Sequence, residues 1–144
     1  MSYALDANLL LYASDSRSPH HNRAAKFLKR CSEDPEPLCF AWSTLFAYLQ
    51  VATHPSVFSR PLAPDEARAN VETLLALPQA RILTEMDGFW DVFREVTRNR
   101  AIRGNLIPDA HLASILRQHG VKKLYTADVD FRRFDFLDVK NPLA

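Results

Sequence analysis

Four aspartates stand where apolar segments end or where a helix begins. Asp6 directly follows the first apolar segment (3–5), Asp128 and Asp130 follow the fourth (123–126), and Asp109 lies in the first turn of a predicted helix between them. Grouped carboxylates repel one another, so a protein that keeps several together normally neutralises them with a cation. Mg²⁺ or Mn²⁺ suits an all-oxygen site and activates water for hydrolysis of a phosphodiester. The spacing therefore predicts a hydrolytic metal site.

Each of these aspartates also has a simpler interpretation. An aspartate at a strand end, or in the first turn of a helix, often serves as an ordinary helix cap. For any one residue alone, capping is favoured. Asp6 is harder to explain in this way, since it ends an apolar strand and only two residues separate it from the next apolar run. For Asp130, capping and metal ligation are weighed evenly.

The elements that must position these residues alternate along the chain. An α/β fold with a mostly parallel sheet of four to five strands and helices on both faces is predicted, as one domain covering 1–144. In such sheets ligands bind beyond the carboxyl ends of the strands, where Asp6 and Asp128 fall. The predicted strands are 3–5, 38–42, 81–83, 123–126 and 136–139. The predicted helices are 8–13, 22–30, 43–53, 65–77, 87–99 and 108–119.

Two local patterns add detail. Ser43 is expected to cap the helix that follows the second strand. Four apolar side chains at helical spacing in segment 87–99, which we expect to pack in the core, are Phe89, Trp90, Phe93 and Val96.

Several classes of function lack their sequence signals. With three glycines the chain cannot form the glycine-rich loops that bind nucleotide cofactors, and it has no zinc-protease or serine-hydrolase motif. Cys31 and Cys39 are spaced for neither a redox pair nor a zinc site, so two reduced thiols are expected. Apolar runs of about five residues are far too short to span a bilayer, and no secretory leader is evident, which predicts a cytoplasmic protein.

The charge balance offers weak support for a phosphate-backbone substrate. Setting the four aspartates aside leaves 13 of the 17 acidic residues against 18 basic ones. A basic surplus outside an acidic pocket is typical of a nucleic-acid binder with a metal centre. The run Arg94, Arg98, Arg100 and Arg103 is a candidate for part of it, although such residues are usually simply solvated.

Taken together, these segments resemble the PIN-domain ribonucleases and, within them, the VapC toxins of bacterial toxin–antitoxin pairs. The resemblance spans almost the whole chain and rests on the order and spacing of its pieces. Those pieces are Leu5-Asp6-Ala7-Asn8, Val51-Ala52-Thr53-His54-Pro55, Gly104-Asn105, Pro108-Asp109-Ala110-His111-Leu112-Ala113 and Thr126-Ala127-Asp128-Val129-Asp130-Phe131. It implies a three-layer α/β/α sandwich and a Mg²⁺- or Mn²⁺-dependent endoribonuclease.

By position, the resemblance also implies a role for each site residue. Asp6, Asp109 and Asp128 would be the catalytic acids that hold the metal, with Asp130 as an auxiliary metal acid. Two polar residues, Asn8 and Thr126, would lie on the substrate side and orient the carboxylates or a bound water. The implied partners are RNA as substrate, a cognate antitoxin and a second copy of the chain in a homodimer.

One position departs from the family pattern. Counting back from His54-Pro55, the helix 43–53 should present a glutamate where this chain has Ala47. No Asp or Glu occurs between Glu36 and Asp65, so a shift of register cannot supply the acid. The missing carboxylate should weaken metal binding and catalysis. Two explanations of the alanine at this position are open: a natural loss of the glutamate, or a substitution introduced to silence a toxic enzyme.

Two alternatives follow. A catalytically degenerate PIN domain would bind RNA or a protein partner without cutting, and Ala47 favours it. A haloacid-dehalogenase-like phosphatase also places an aspartate after its first strand, but it needs a second acid two residues later, where this chain has Asn8.

Overall fold

A single five-stranded sheet, parallel at every pairing, forms the centre of the protein. The computed structural model describes all 144 residues. The strands are β1 (Tyr3–Leu5), β2 (Leu38–Ala41), β3 (Ala80–Leu83), β4 (Lys123–Tyr125) and β5 (Asp138–Lys140). Their order across the sheet is β3-β2-β1-β4-β5, so β1 and β4 are neighbours although more than 100 residues separate them in sequence.

Six helices connect the strands. They are α1 (Ala7–Ser14), α2 (His21–Glu33), α3 (Trp42–Ala52), α4 (Pro64–Leu75), α5 (Phe89–Thr97) and α6 (Leu106–Gln118). A short 3₁₀-helix covers Val129–Arg133 between β4 and β5. The longest helices have 13 residues, and none has the length and apolar character needed to cross a membrane.

The core is divided by the sheet into two apolar layers. Side chains alternate between the faces of a strand, so Tyr3 and Leu5 of β1 pack in one layer and Ala4 packs in the other. The first layer is completed by α1, α2, α3 and α4, and the second by α5 and α6. This arrangement confirms the predicted α/β/α sandwich.

Several element boundaries near the site differ from the predicted ones: β4 ends at Tyr125 rather than Thr126, α6 begins at Leu106 rather than Pro108, and the β2–α3 junction is shifted. Trp42 is the first residue of α3 rather than the last of β2. Ser43 is not a cap: the N-cap position is Ala41, whose extended backbone still pairs with Leu83 of β3, and it offers no side-chain hydrogen bond. The chain passes from strand to helix without an intervening residue, so the N-cap position falls on the last strand residue, an alanine whose methyl group cannot accept a hydrogen bond.

The structure also corrects the prediction that all four apolar side chains at helical spacing in α5 pack in the core. Val96 is buried, as predicted, but Trp90 remains 68% exposed and stacks on Phe93 with ring centroids 5.6 Å apart. Phe89 is half-buried against the ring of His111. Because α5 is short and packs against a single neighbouring helix, α6, only a narrow side of it is buried. The four apolar side chains extend around more of the helix than α6 covers.

Candidate active site

The carboxyl ends of β1 and β4 bring Asp6 and Thr126 together. Each residue directly follows its strand, and the backbone N–H of Asp6 extends the β1–β4 pairing by donating to the carbonyl oxygen of Tyr125 at 3.0 Å. The hydroxyl of Thr126 then donates to Asp6 Oδ2 at 2.8 Å. The two segments are therefore joined at the sheet edge by a hydrogen bond to a carboxylate.

Thr126 is the centre of this polar network. Its side-chain oxygen, in a residue that is 1% exposed, also accepts from Asn8 Nδ2 at 3.1 Å and from the backbone N–H of Asp128 at 3.0 Å. A hydroxyl has one donor and two acceptor sites, so every hydrogen-bonding site of Thr126 is used. Through these hydrogen bonds Asn8 and Thr126 fix the orientation of Asp6 and the start of the Asp128 loop.

A third segment adds Asp109. It lies in the first turn of α6, where Pro108 is tolerated because its missing N–H would have no partner inside the helix. One carboxylate oxygen from each of Asp109, Asp128 and Asp130 lies within 4.8 Å of the other two. Two separate chain segments, the start of α6 and the loop after β4, therefore place three carboxylates around one small volume.

Asp6 lies beside this group rather than within it. Both of its oxygens already accept hydrogen bonds, Oδ1 from the backbone N–H of Ala7 at 2.8 Å and Oδ2 from Thr126. Capping and clustering therefore coexist here: Asp6 caps α1, and Asp128 caps the 3₁₀-helix by accepting from the N–H of Asp130 at 2.8 Å. A carboxylate oxygen has further lone pairs, so neither cap prevents ligation.

The electrostatics of the group show that its negative charge is poorly compensated. The pKa of Asp109 is raised to about 6, mainly by burial and also by the nearby carboxylates of Asp128, Asp6 and Asp130, against an opposing effect of Arg133. The pKa of Asp6 is also raised, mainly by burial, although its hydrogen bonds from Thr126 and Ala7 counter the shift. A bound cation would relieve this repulsion.

One residue near the site was missed in the sequence. Arg133 donates to the backbone oxygen of Asp130 at 2.9 Å and approaches its carboxylate at 3.4 Å. It is the basic charge that opposes the raised pKa of Asp109. The available signal was its position three residues after Asp130, which places the two side chains on one side of a helical turn.

Comparison with known protein families identifies the family to which this sheet and site belong. A family model described as the PIN domain matches residues 3–137. The chain belongs to the PIN-domain family. The resemblance drawn from the sequence segments is confirmed, and the phosphatase alternative is wrong.

Curated relatives place the PIN domain among the VapC ribonucleases. Ribonuclease VapC48 of Mycobacterium tuberculosis is 36% identical over 144 residues, covering 100% of this chain and 99% of the relative. The VapC ribonuclease Mb2897 of Mycobacterium bovis is 34% identical over 139 residues, covering 96% and 94%. Both matches extend across the three segments that carry the aspartates, so this is a PIN-domain chain of the VapC ribonuclease family.

Solved structures share the PIN fold. VapBC2 from Rickettsia felis, bound to a DNA fragment from its promoter, superposes with a TM-score of 0.69 at 16% identity and covers 98% of both chains. VapC20 of Mycobacterium tuberculosis, described as a toxin that cleaves the sarcin–ricin loop, gives 0.67 at 16% identity, covering 96% of this chain and 98% of that one. At this identity the likeness establishes the fold alone.

Ala47 is the position at which this PIN domain departs from the expected acid set. It is half-buried in the second turn of α3, the helix that begins directly after β2. Its methyl group offers no ligand atom, and α3 has no acidic residue in its first turn. The carboxylates of the site therefore come from the β1, α6 and β4 segments only.

Proposed function

We propose that this PIN-domain chain is a metal-dependent endoribonuclease that acts as the toxin of a toxin–antitoxin pair. The observation that carries the proposal is the convergence of Asp6, Asp109, Asp128 and Asp130 from three separate segments at the carboxyl edge of one sheet. Its relatives named VapC ribonucleases cover essentially the whole chain. Family and site chemistry thus support the same reaction, hydrolysis of an RNA phosphodiester.

The donor set suits Mg²⁺ or Mn²⁺. Asp6, Asp109 and Asp128 would hold the ion and act as the catalytic acids, with Asp130 as an auxiliary ligand, because all four offer hard carboxylate oxygens and repel one another without a cation. When bound, the ion would activate a water molecule for attack on the phosphodiester.

Asn8 and Thr126 are positioning residues in this proposal. Thr126 keeps the carboxylate of Asp6 in one orientation and favours its ionised form, since the hydrogen bond from its hydroxyl lowers the pKa of Asp6. Asn8 in turn donates a hydrogen bond from its side-chain amide to the Thr126 hydroxyl, and both residues would thereby orient the carboxylates or a water bound on the substrate side. An ordered carboxylate set reduces the rearrangement needed when metal and substrate bind.

We also propose the partners that the family resemblance implies. The neighbouring structures include complexes named VapBC from Rickettsia felis and Salmonella typhimurium, which supports a cognate antitoxin here. A homodimer would cover apolar side chains such as Met86 and Trp90, which are exposed around the start of α5. A cytoplasmic location fits an RNA substrate and the two free thiols, Cys31 and Cys39.

Cleavage of end-labelled structured RNAs with Mn²⁺, and in parallel with EDTA, tests the proposal. Cutting with Mn²⁺ that EDTA and Asp128→Asn both abolish is the expected result. Asp65→Asn is the matched control, because Asp65 is an exposed aspartate of α4 outside the site. Cutting that persists in EDTA, or in Asp128→Asn, would contradict the assigned site.

The second candidate is a PIN domain that binds RNA or a partner protein without cleavage. Ala47 favours it, because the expected glutamate is absent and no acid within 37–64 replaces it. Such a protein would bind RNA equally well with and without Mg²⁺ and would stay inactive when Ala47 is replaced by Glu. A silenced nuclease would instead recover cutting.

A further inference from the structure

Two aromatic side chains of α3 are exposed although the inner side of the same helix is well packed. Trp42 is 44% exposed and Phe46 is 62% exposed, and their rings lie together with centroids 6.2 Å apart. On the inner side of α3, which packs against the protein core, Leu45 and Tyr48 are each 1% exposed. Full burial of such a side chain would contribute about 1.5–3 kcal/mol, and the exposed part of each ring forgoes a share of that stabilisation.

The register of the sheet brings the first residue of this aromatic pair, Trp42, close to Asp6 at the carboxyl ends of β1 and β2. β1 pairs with β2 so that Ala4 lies beside Cys39, and continuing two residues along both strands sets Asp6 beside Ala41. Neighbouring strands lie about 4.8 Å apart, and Trp42 is the next residue after Ala41. Trp42, the first residue of the aromatic pair, therefore lies one residue beyond Ala41, the residue that this register sets beside Asp6.

The charge around the pair suits a polyanion. From Pro37 to Pro64, which includes the whole of α3, the chain has no Asp or Glu. The acids that follow strands at this edge are the site aspartates, which the proposed metal would neutralise, and Glu85 after β3, whose carboxylate lies 3.5 Å from Nε2 of His111. Exposed aromatic rings beside a phosphate-handling site are the feature by which proteins hold unpaired nucleic-acid bases.

A second copy of the chain fits these two rings less well. A fully exposed aromatic side chain presents about 150–250 Å², so the exposed parts of the two rings offer roughly 200 Å². A stable protein interface needs about 800 Å² from each partner. One or two stacked bases match the available surface.

We propose that Trp42 and Phe46 form a stacking platform for unpaired RNA bases beside the scissile phosphate, which helps to select single-stranded or looped targets. This inference rests on the proposed ribonuclease function, but it concerns binding and can be tested without cleavage. Stacking on an aromatic ring contributes about 1–3 kcal/mol per base, which corresponds to about a 5- to 150-fold change in Kd.

Tryptophan fluorescence provides a direct reporter, because the chain has two tryptophans, Trp42 and Trp90. In Trp90→Phe, emission comes from Trp42 alone. A single-stranded RNA oligonucleotide in EDTA should quench it saturably, whereas inorganic polyphosphate, a polyanion without bases, should not. The matched control is Trp42→Phe, in which the remaining tryptophan on α5 should respond to neither.

Variants of the exposed Phe46 separate stacking from apolar packing. Phe46→Leu should raise the Kd for labelled RNA about 5-fold or more, and Phe46→Trp should restore binding. Equal quenching by polyphosphate, or equal RNA affinity for Phe46→Leu and the unmodified chain, would overturn the proposal. So would a change in Trp42 emission with protein concentration alone, which would show that a second copy covers the rings. Absence of cutting with intact RNA quenching would instead refute only the nuclease function.

Discussion

Replacing Thr126 by valine should disconnect the carboxylate site while preserving its shape. Valine keeps the branched side chain of threonine but removes the oxygen that donates to Asp6 and accepts from Asn8 and the N–H of Asp128. A hydrogen bond to a charged group is worth about 1.5–3 kcal/mol, and a buried donor left without a partner costs about 1–3 kcal/mol. Because these effects are not additive, we expect a total loss of about 2–4 kcal/mol in the free energy of unfolding.

The pH dependence of this loss follows from the charge of Asp6. The Thr126 hydroxyl stabilises the ionised carboxylate and thereby lowers its pKa. Stability of this kind is present above the pKa of the group and is lost as the pH falls through it. The deficit of Thr126→Val should therefore be larger at pH 8 than at pH 5.

Urea unfolding of the metal-free protein in EDTA measures both effects. Thr126→Ser is the matched control, since it keeps the hydroxyl and loses a buried methyl group, at a cost of about 1 kcal/mol that should not vary with pH. For a chain of this size, the valine variant should also melt about 6–12 °C lower than the unmodified chain. If the two variants agree within about 0.5 kcal/mol at pH 8, or if the valine deficit is the same at both pH values, the hydroxyl does not organise the site.

Three further outcomes are expected. Asp109→Asn should stabilise the metal-free protein more at pH 8 than at pH 5, because the pKa of Asp109 is raised from 3.8 to about 6 and the cost of ionising it grows as the pH rises between these values. Thermal melts in EDTA that show no larger gain at pH 8 would contradict this. Mn²⁺ affinity, measured by calorimetry, should fall about tenfold per pH unit below pH 6 as protons compete for Asp109, and a flat profile would argue against ligation by this residue. Trp90→Ala should lower the free energy of unfolding by less than about 1 kcal/mol because the ring is exposed. Phe131→Ala, at a site 1% exposed, should lower it by about 3–5 kcal/mol. Similar losses for the two variants in urea unfolding would refute the corrected packing of α5.

Much of the fold could be predicted because local signals were strong. β1 was placed at its observed bounds, and α6 was delimited by Pro108 near its start and by Gly120, which adopts a φ of +69°, just beyond its end. The β2–α3 boundary was harder, since an apolar Trp42 extends a strand pattern and begins a helix equally well. Tertiary pairing of Ala41 with β3 decides it.

The grouping of the aspartates could be predicted from the sequence, but their hydrogen bonds could not. The aspartates were found because each follows a strand or starts a helix, and parallel strands bring such positions to one edge. The sequence could not show that Asp6 has both oxygens bonded while Asp109, Asp128 and Asp130 form the tighter group. That distinction depends on side-chain directions fixed only after packing.

Exposure on helices was the least predictable feature. The spacing of Phe89, Trp90 and Val96 shows that they share a helix but not how wide its covered side is. Trp90 lies outside the strip that α6 covers. The same physical reason explains why the exposed rings of α3 were not foreseen.

The most direct test of the central claim is RNA cleavage by the unmodified chain, Ala47→Glu and Ala47→Gln, side by side, with Mn²⁺ and with EDTA. Glutamine matches glutamate in size without its charge, so it controls for packing at this half-buried position. If the aspartate cluster is a nuclease centre that lacks one acid, Ala47→Glu should cut faster than the other two, and EDTA or Asp6→Asn should abolish the gain. No cutting by any variant on a broad set of structured RNAs would contradict the account and favour a binding module.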